Sequence, residues 1–260
     1  MDTLSLRVLP LGHLRCQYFR IVDGYDENVM YDSPVSALLI RHPTLGNVLY
    51  DTGNSPYHRR EYGDDITRVY PVENFRSIED ALQSEGLTCE DIDMIILSHL
   101  HFDHVGGLRY FQNSKAIKNV VVSERELWNA CRSVFTGEEG GAYVKSLFDV
   151  DGVIYRPIRD TTDLAPDLTL FIQEAHTPGV IGLAIKTQTM GQIIVTSDTV
   201  YTRETWEKSL PPGGPINKGT KEFLSNLDRL KQMQEQRHAT MLFGHDNEQV
   251  AAWSRKGVIK

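Results

Sequence analysis

Between Ser98 and Gly107 the chain reads SHLHFDHVGG, so that His99, His101, Asp103 and His104 fall within six residues of a chain that holds nine histidines in all. Imidazole nitrogens and carboxylate oxygens together suit zinc and neighbouring first-row metals, and no thiolate is needed. His99 and His101 are two apart, so on a turn after a strand both can face one ion, which leaves Asp103 and His104 to serve a second. A catalytic zinc typically takes three protein ligands and keeps a position for water. Two ions therefore need more donors than this stretch holds. The chain offers them in AHTPG (His176), TSD (Asp198) and FGHD (His245). The tally fits His99, His101 and His176 on one ion, Asp103, His104 and His245 on the other, and Asp198 as the bridge. A solvated polar loop with satisfied histidines is the competing reading, and the spacing disfavours it. His13, His42, His58 and His238 stand alone and receive no role.

Such ligands have to be delivered to one place. Short apolar runs predict strands at 4–11, 36–41, 47–50, 94–97, 119–122, 153–157, 168–174, 182–186, 193–197 and 240–243. Helices are predicted at 78–85, 125–132 and 221–237. Ser77 with Asp80, and Ser123 with Glu126, resemble capping boxes at the first two helix starts. PPGGP at 211–215 tolerates neither helix nor ladder and reads as a surface or pocket loop. Each interesting polar residue falls where a strand runs out: Asp51 after VLY, His99 after MIIL, His176 after LFIQEA, Asp198 after IIVTS, His245 after MLFG. Two groups of strands, each followed by helices, suggest an α/β fold of two sheets packed face to face with helices outside. Strands ending on one rim would bring all five residues together.

Bulk properties narrow the classes. With 260 residues the chain can build one large α/β domain or two small ones. The net charge of −8 disfavours a nucleic-acid partner, which usually leaves a basic footprint. No run approaches the ~18 apolar residues of a membrane span, and the N-terminal stretch reads as a first strand rather than a signal peptide. A cytoplasmic location without membrane association is the expectation. Cys16, Cys89 and Cys131 are odd in number and widely spaced, which argues for reduced, half-buried thiols and against a disulfide framework or a thiolate zinc site.

SHLHFDHVGG, HTPG, TSD, GHD and the upstream DTG at 51–53 together resemble the metallo-β-lactamase superfamily, over about residues 51–246. The resemblance implies a four-layer αβ/βα sandwich, a single hydrolase domain over 1–260, with the metal site at one edge. Zinc β-lactamases usually carry Cys where this chain has Asp198, the flavodiiron group carries Glu in place of His101, and the RNA-processing nucleases carry extra basic surface. The stretch SDTVYTRETWE at 197–207 is most similar to the N-acyl homoserine lactonase family and related lactonases. There the bridging aspartate is followed three residues later by a tyrosine that contacts the substrate carbonyl, then by a Thr, a basic and an acidic residue. Asp198, Tyr201, Thr202, Arg203 and Glu204 fall in that order here. FGHD followed by NEQ fits the same family. His176 and His245, which alone would read as structural histidines, gain their ligand role from this pattern.

What the resemblance implies is a hydrolase with two divalent metal ions per chain, Zn2+ first among them, that opens a lactone ring by attack of a metal-bridging hydroxide. Asp103 would orient the hydroxide or accept a proton. Tyr201 and one metal would stabilise the oxyanion, the role of preorganised donors in acyl transfer. Phe102 and Tyr201 are the expected substrate contacts. Asp51 either hydrogen-bonds a ligand histidine or makes a turn with Gly53. Aromatic residues at 18–31 either pack or line an acyl pocket, with packing favoured. The expected partner is a small-molecule lactone, and the chain a monomer or homodimer. Two departures bear on rate and specificity. The family usually reads G-H-[ST]-P-G-H, whereas this chain has Ala175 before His176 and Val180 for the second histidine. The loop at 136–150 has no counterpart in the family pattern. A glyoxalase II-like thioesterase is the nearest alternative, and a non-catalytic, metal-containing binding or regulatory protein the alternative of another class.

Overall fold

The computed structural model describes residues 3–138, 141–214 and 219–260. A seven-stranded sheet holds β1 (Ser5–Gln17), β2 (Met30–His42), β3 (Gly46–Tyr50), β4 (Val72–Glu73), β5 (Met94–Ile96), β6 (Val120–Ser123) and β7 (Tyr155–Ile158). Its order is β4-β1-β2-β3-β5-β6-β7. A five-stranded sheet holds β8 (Thr162–Ala165), β9 (Leu168–Gln173), β10 (Val180–Thr187), β11 (Gly191–Val195) and β12 (Thr240–Leu242), in the order β12-β11-β10-β9-β8.

Successive side chains of a strand point to opposite faces, and here both faces are apolar. On β2, Leu38 and Ile40 turn to a core shared by the two sheets, where they meet Leu170, Leu183 and Ile193. Ala37 and Leu39 turn the other way and pack with Ile78, Ala81 and Leu82 of the helix Ile78–Gln83 and Ala130 of the helix Glu124–Thr136. The outer face of the second sheet is covered by the helix Thr220–Arg237, whose Phe223, Leu227 and Leu230 recur at helical spacing against Phe171, Ile194 and Met241. The result is the expected four layers. By alternation Leu6 and Val8 serve the inter-sheet core and Leu9 and Leu11 the outer one, and a register shift between Pro10 and His13 brings the even-numbered Leu14 to the outer core as well.

All ten predicted strands have counterparts. β4 and β8 were not foreseen, being two and four residues long and partly polar. The helices Arg203–Lys208 and Asn247–Lys256 were also not foreseen, although both carry a start signal. Thr202 accepts from Thr205 N, and Asp246 accepts from Gln249 N. The two capping boxes are corrected to one-sided caps. Ser77 and Ser123 accept from Asp80 N and Glu126 N, but neither acidic side chain returns to the backbone of its serine. Of PPGGP, residues 211–214 form a loop docked on the segment at 19–23 through Gly213 N to Phe19 O and Asp23 N to Pro211 O; residue 215 lies outside the described residues. The loop at 136–150 contains the short helix Lys145–Phe148, and its residues 139 and 140 lie outside the described residues. The cysteines are free, Cys16 and Cys89 buried and Cys131 half-buried. No helix among the described residues is long and apolar enough to cross a membrane.

β3 and β5 run parallel, as do β11 and β12, and β9 runs with β11 because both are antiparallel to β10. These five strands end at the same rim. There the sheets are tied together by Ile181 N to Ser98 O, 2.8 Å, and by Tyr50 Oη to Ile181 O, 2.6 Å.

Candidate metal centre

Each strand end contributes a turn that the sequence is built to make. After β3, Asp51 adopts φ of 62° and Gly53 φ of 75°. After β9, His176 has φ of 72°, and after β11, Ser197 has φ of 49°. Left-handed backbone at non-glycine residues is costly and clusters at functional sites. The turns are packed tightly on each other. A Cβ at Gly106 would lie 2.3 Å from Ser55 N, and one at Gly244 would lie 2.7 Å from Ser197 O. Only glycine lets the HVGG segment approach the DTG loop, and the GHD loop approach TSD. The short helix Phe102–Val105 is pinned by Thr52, whose N and Oγ1 both donate to His104 O, at 2.7 and 2.9 Å.

The seven candidate ligands converge. His176 Nε2 lies 3.1 Å from His99 Nε2 and 3.0 Å from His101 Nδ1. On the other side, His104 Nε2 and His245 Nε2 lie 3.6 and 3.8 Å from Asp103 Oδ2. Asp198 stands between the groups. Its Oδ2 is 3.4 Å from His176 Nε2, and its Oδ1 is 3.2 Å from His104 Nε2 and 3.1 Å from His245 Nε2. His99, His101 and His176, and likewise Asp103, His104 and His245, each offer three ligand atoms within 4.8 Å of one another. Ligands on a tetrahedral ion at ~2.0–2.1 Å stand roughly 3.4 Å apart, so the spacing is right for two cations. The hydrogen-bond inventory agrees. His104 Nε2 and Asp198 Oδ1 are buried and form no hydrogen bond although they are neighbours. Buried polar atoms left this way are costly unless something else satisfies them, and a cation would.

The outward nitrogens are held by the fold. His104 Nδ1 is 2.8 Å from Asp51 Oδ2, and Ser98 donates to the same carboxylate from N, 2.7 Å, and from Oγ, 2.8 Å. Asp51 thus does both things proposed for it, turning the chain and holding a histidine. His245 Nδ1 is 2.8 Å from Pro34 O, and His176 Nδ1 is 3.0 Å from Tyr201 Oη. Burial opposes the charged form of His104, but the carboxylates of Asp198, Asp103 and Asp51 outweigh it and raise its pKa. Burial likewise opposes ionisation of Asp198, and His245 and His104 outweigh it, holding that carboxyl well below its ordinary value. Burial and the Asp198 charge push Tyr201 well above 10, so the phenol keeps its proton.

A cavity of about 310 Å³ opens onto the cluster. Tyr201 and Phe102 line it together with Leu14, Ile21, Ile66 and Tyr70. Phe102 also packs on Tyr62, ring centroids 4.7 Å apart. The tyrosines at 18–31 pack rather than line: Tyr18 stacks on Tyr31, and Tyr18 and Tyr25 each donate to Glu204 at 2.6 Å. Arg20 and Ile21 of the same segment do reach the cavity. Val180, at the place of the family's second histidine, is buried as the first residue of β10. Sequence reasoning missed Ser98, which only its position beside His99 signalled. It also missed Glu126, read as a capping residue, and the cavity residues Leu14 and Ile66, which carry no signal apart from ordinary core.

Residues 30–245 match the family profile described as the metallo-beta-lactamase superfamily. An N-acyl homoserine lactonase of a Bacillus species is 32% identical over 96% of this chain and 96% of its own length. The N-acyl homoserine lactonase AttM of Rhizobium radiobacter is 28% identical over 98% and 96%. Among solved structures, an N-acyl homoserine lactone hydrolase with the product N-hexanoyl-L-homoserine bound at its catalytic metal center superimposes with a TM-score of 0.83, at 25% identity and 97% coverage of both chains.

Proposed function

Because the chain belongs to the metallo-beta-lactamase superfamily, we propose that it is a dinuclear metal-dependent hydrolase that opens the ring of an N-acyl homoserine lactone or a related lactone. The observation that carries this reading is Asp198, whose two oxygens face two triads of candidate ligands beside the Tyr201 hydroxyl. Lactonases that match along nearly the whole chain support it.

His99, His101 and His176 would hold one ion, Asp103, His104 and His245 the other, with Asp198 shared. Nitrogen and carboxylate donors without thiolate favour zinc. Two bound cations would supply Lewis acidity and bring the pKa of a shared water close to neutral. The chain's own residues do the rest. His176 turns Nε2 to the cluster, so in its neutral form Nδ1 carries the proton and donates to Tyr201 Oη. The phenolic proton is then left to donate to the substrate carbonyl oxygen as negative charge develops there. Asp103 accepts the proton that the attacking water gives up and returns it to the ring oxygen as the C–O bond breaks. Phe102, Leu14, Ile66 and Tyr70 offer the acyl chain an apolar wall. The new carboxylic acid ionises at neutral pH, so each turnover releases one proton.

Proton release in weak buffer tests the reading directly. Zinc-loaded protein given N-acyl homoserine lactones of short and long chain should acidify the solution, and a chelator should stop it. Absence of release from protein shown to hold two ions would overturn the lactone assignment.

A further inference from the structure

We propose that Glu126 is a positioning residue of the metal centre: it sets the direction of His99, His101 and their loop, and so the affinity of that half of the site. The inference rests on the reading of these histidines as metal ligands.

Glu126 lies in the first turn of the helix Glu124–Thr136 and is 0% exposed. A capping box would turn its side chain back to Ser123 N. Instead its Oε1 accepts from Leu100 N, 2.8 Å, and from Tyr143 Oη, 2.9 Å. Leu100 is the residue between His99 and His101, in a stretch that belongs to neither strand nor helix. No ladder runs through that backbone, and between Ser98 N, held by Asp51 Oδ1, and Phe102 N, held by Ala142 O, the bond from the Leu100 amide to a fixed acceptor orients it. The second bond extends the hold to a ring. Tyr143, which also accepts from Asn129 Nδ2 at 3.0 Å, stands against the His101 imidazole with centroids 4.6 Å apart and planes at 63°.

The same helix start touches the third ligand's loop. A Cβ at Gly179 would lie 2.3 Å from Ser123 Oγ and 3.0 Å from Glu126 N, so the HTPG turn rests directly on this end of the helix. His99, His101 and His176 arrive from two sheets, and the start of this helix is where both their loops are braced. In the other triad, His104 and His245 are held by Asp51 and Pro34 instead.

The test compares zinc binding by metal-stripped Glu126→Ala, Glu126→Gln and Tyr143→Phe proteins with that of the unaltered chain, in competition with a chromogenic chelator. Circular-dichroism melting of each stripped protein reports folding, and the visible spectrum of the cobalt-loaded form reports ligand geometry. Glu126→Ala should weaken one of two ions by about 10–100-fold, the usual scale for groups that orient ligands, and leave the other within about threefold. Glu126→Gln keeps an acceptor for Leu100 N and should recover most of the loss. A folded Glu126→Ala protein with both affinities unchanged would overturn the proposal. So would two affinities that fall together with the melting temperature of the stripped protein, as in a purely structural role. If Glu126→Ala does not fold, Tyr143→Phe decides: an altered cobalt spectrum at unchanged stripped-protein melting supports the proposal, and an unaltered spectrum sinks it. An unaltered chain that binds two ions yet hydrolyses no lactone would overturn the function proposed above and leave this inference standing.

Discussion

The two triads of the candidate metal centre use similar ligands but are held in different ways. Around Asp103, His104 and His245, the outward imidazole nitrogens meet a carboxylate and a backbone carbonyl, Asp51 Oδ2 and Pro34 O, both at 2.8 Å. In the other triad, those of His99 and His176 meet hydroxyls: Ser98 Oγ lies 3.0 Å from His99 Nδ1, and Tyr201 Oη lies 3.0 Å from His176 Nδ1. A carboxylate behind an imidazole raises its basicity and fixes its tautomer more firmly than a neutral hydroxyl does. The first triad is therefore built for retention. In the second, the outer partner Tyr201 also lines the cavity that opens onto the cluster. Tight holding and availability for chemistry are divided between the two halves.

The largest effect should come from removing what they share. Asp198→Ala takes away both carboxylate oxygens that face the two triads, and hydrolysis should fall beyond about 10³-fold, the upper scale for loss of one electrostatic stabiliser. Metal analysis should find fewer than two ions per chain. A variant that keeps two ions and most of its activity would break the bridging assignment. Tyr201→Phe comes next: kcat should fall by about 10²-fold with KM little changed and two ions retained. A fall confined to metal content would instead make Tyr201 a holder of His176 only. Asp51→Asn sharpens the contrast between the halves. Asn tolerates the left-handed backbone at this position, so the change tests the charge behind His104, and chelator competition should show one ion weakened by about 10–100-fold. Ser98→Ala should cost less, under about tenfold in affinity, because a neutral hydroxyl is the weaker partner. Because the Ser98 hydroxyl also donates to Asp51 Oδ2, the reading is taken from the ion of His99: a loss there that exceeds the loss in Asp51→Asn reverses the ordering of the two halves.

The legible part of this site was its inner layer. His99, His101, Asp103 and His104 announced themselves because ligand spacing within one turn is local, and a strand end is visible as an apolar run that stops. Asp198 was found by the same reading, at the end of IIVTS, whereas Tyr201 was found through a family pattern that is also local, SDTVYTRE. The outer layer was not legible. Glu126 looked like half of a capping box, since a residue three positions after a serine has that option at hand; which option it takes depends on the Leu100 amide 26 residues away. The helix Asn247–Lys256 went unread although Asp246 and Gln249 mark its start. Its Val250 and Trp253 reach the inter-sheet core, which the pattern of so short a segment does not reveal.

By itself, then, the sequence determined which side chains are candidate ligands, that they sit at strand ends, and that two sheets with apolar inner faces would pack together. Spacing and alternation suffice for that, because they depend only on neighbours along the chain. Tertiary structure alone decided which nitrogen of each imidazole turns inward and what fixes the other one. Asp51 meets His104 across 53 residues, and Pro34 meets His245 across 211. Those distances close only when the loops of both sheets are packed onto one rim, at glycines that admit the backbone of a neighbouring turn. A hydrogen-bond partner is chosen by proximity in space, and sequence separation of that size carries no record of it.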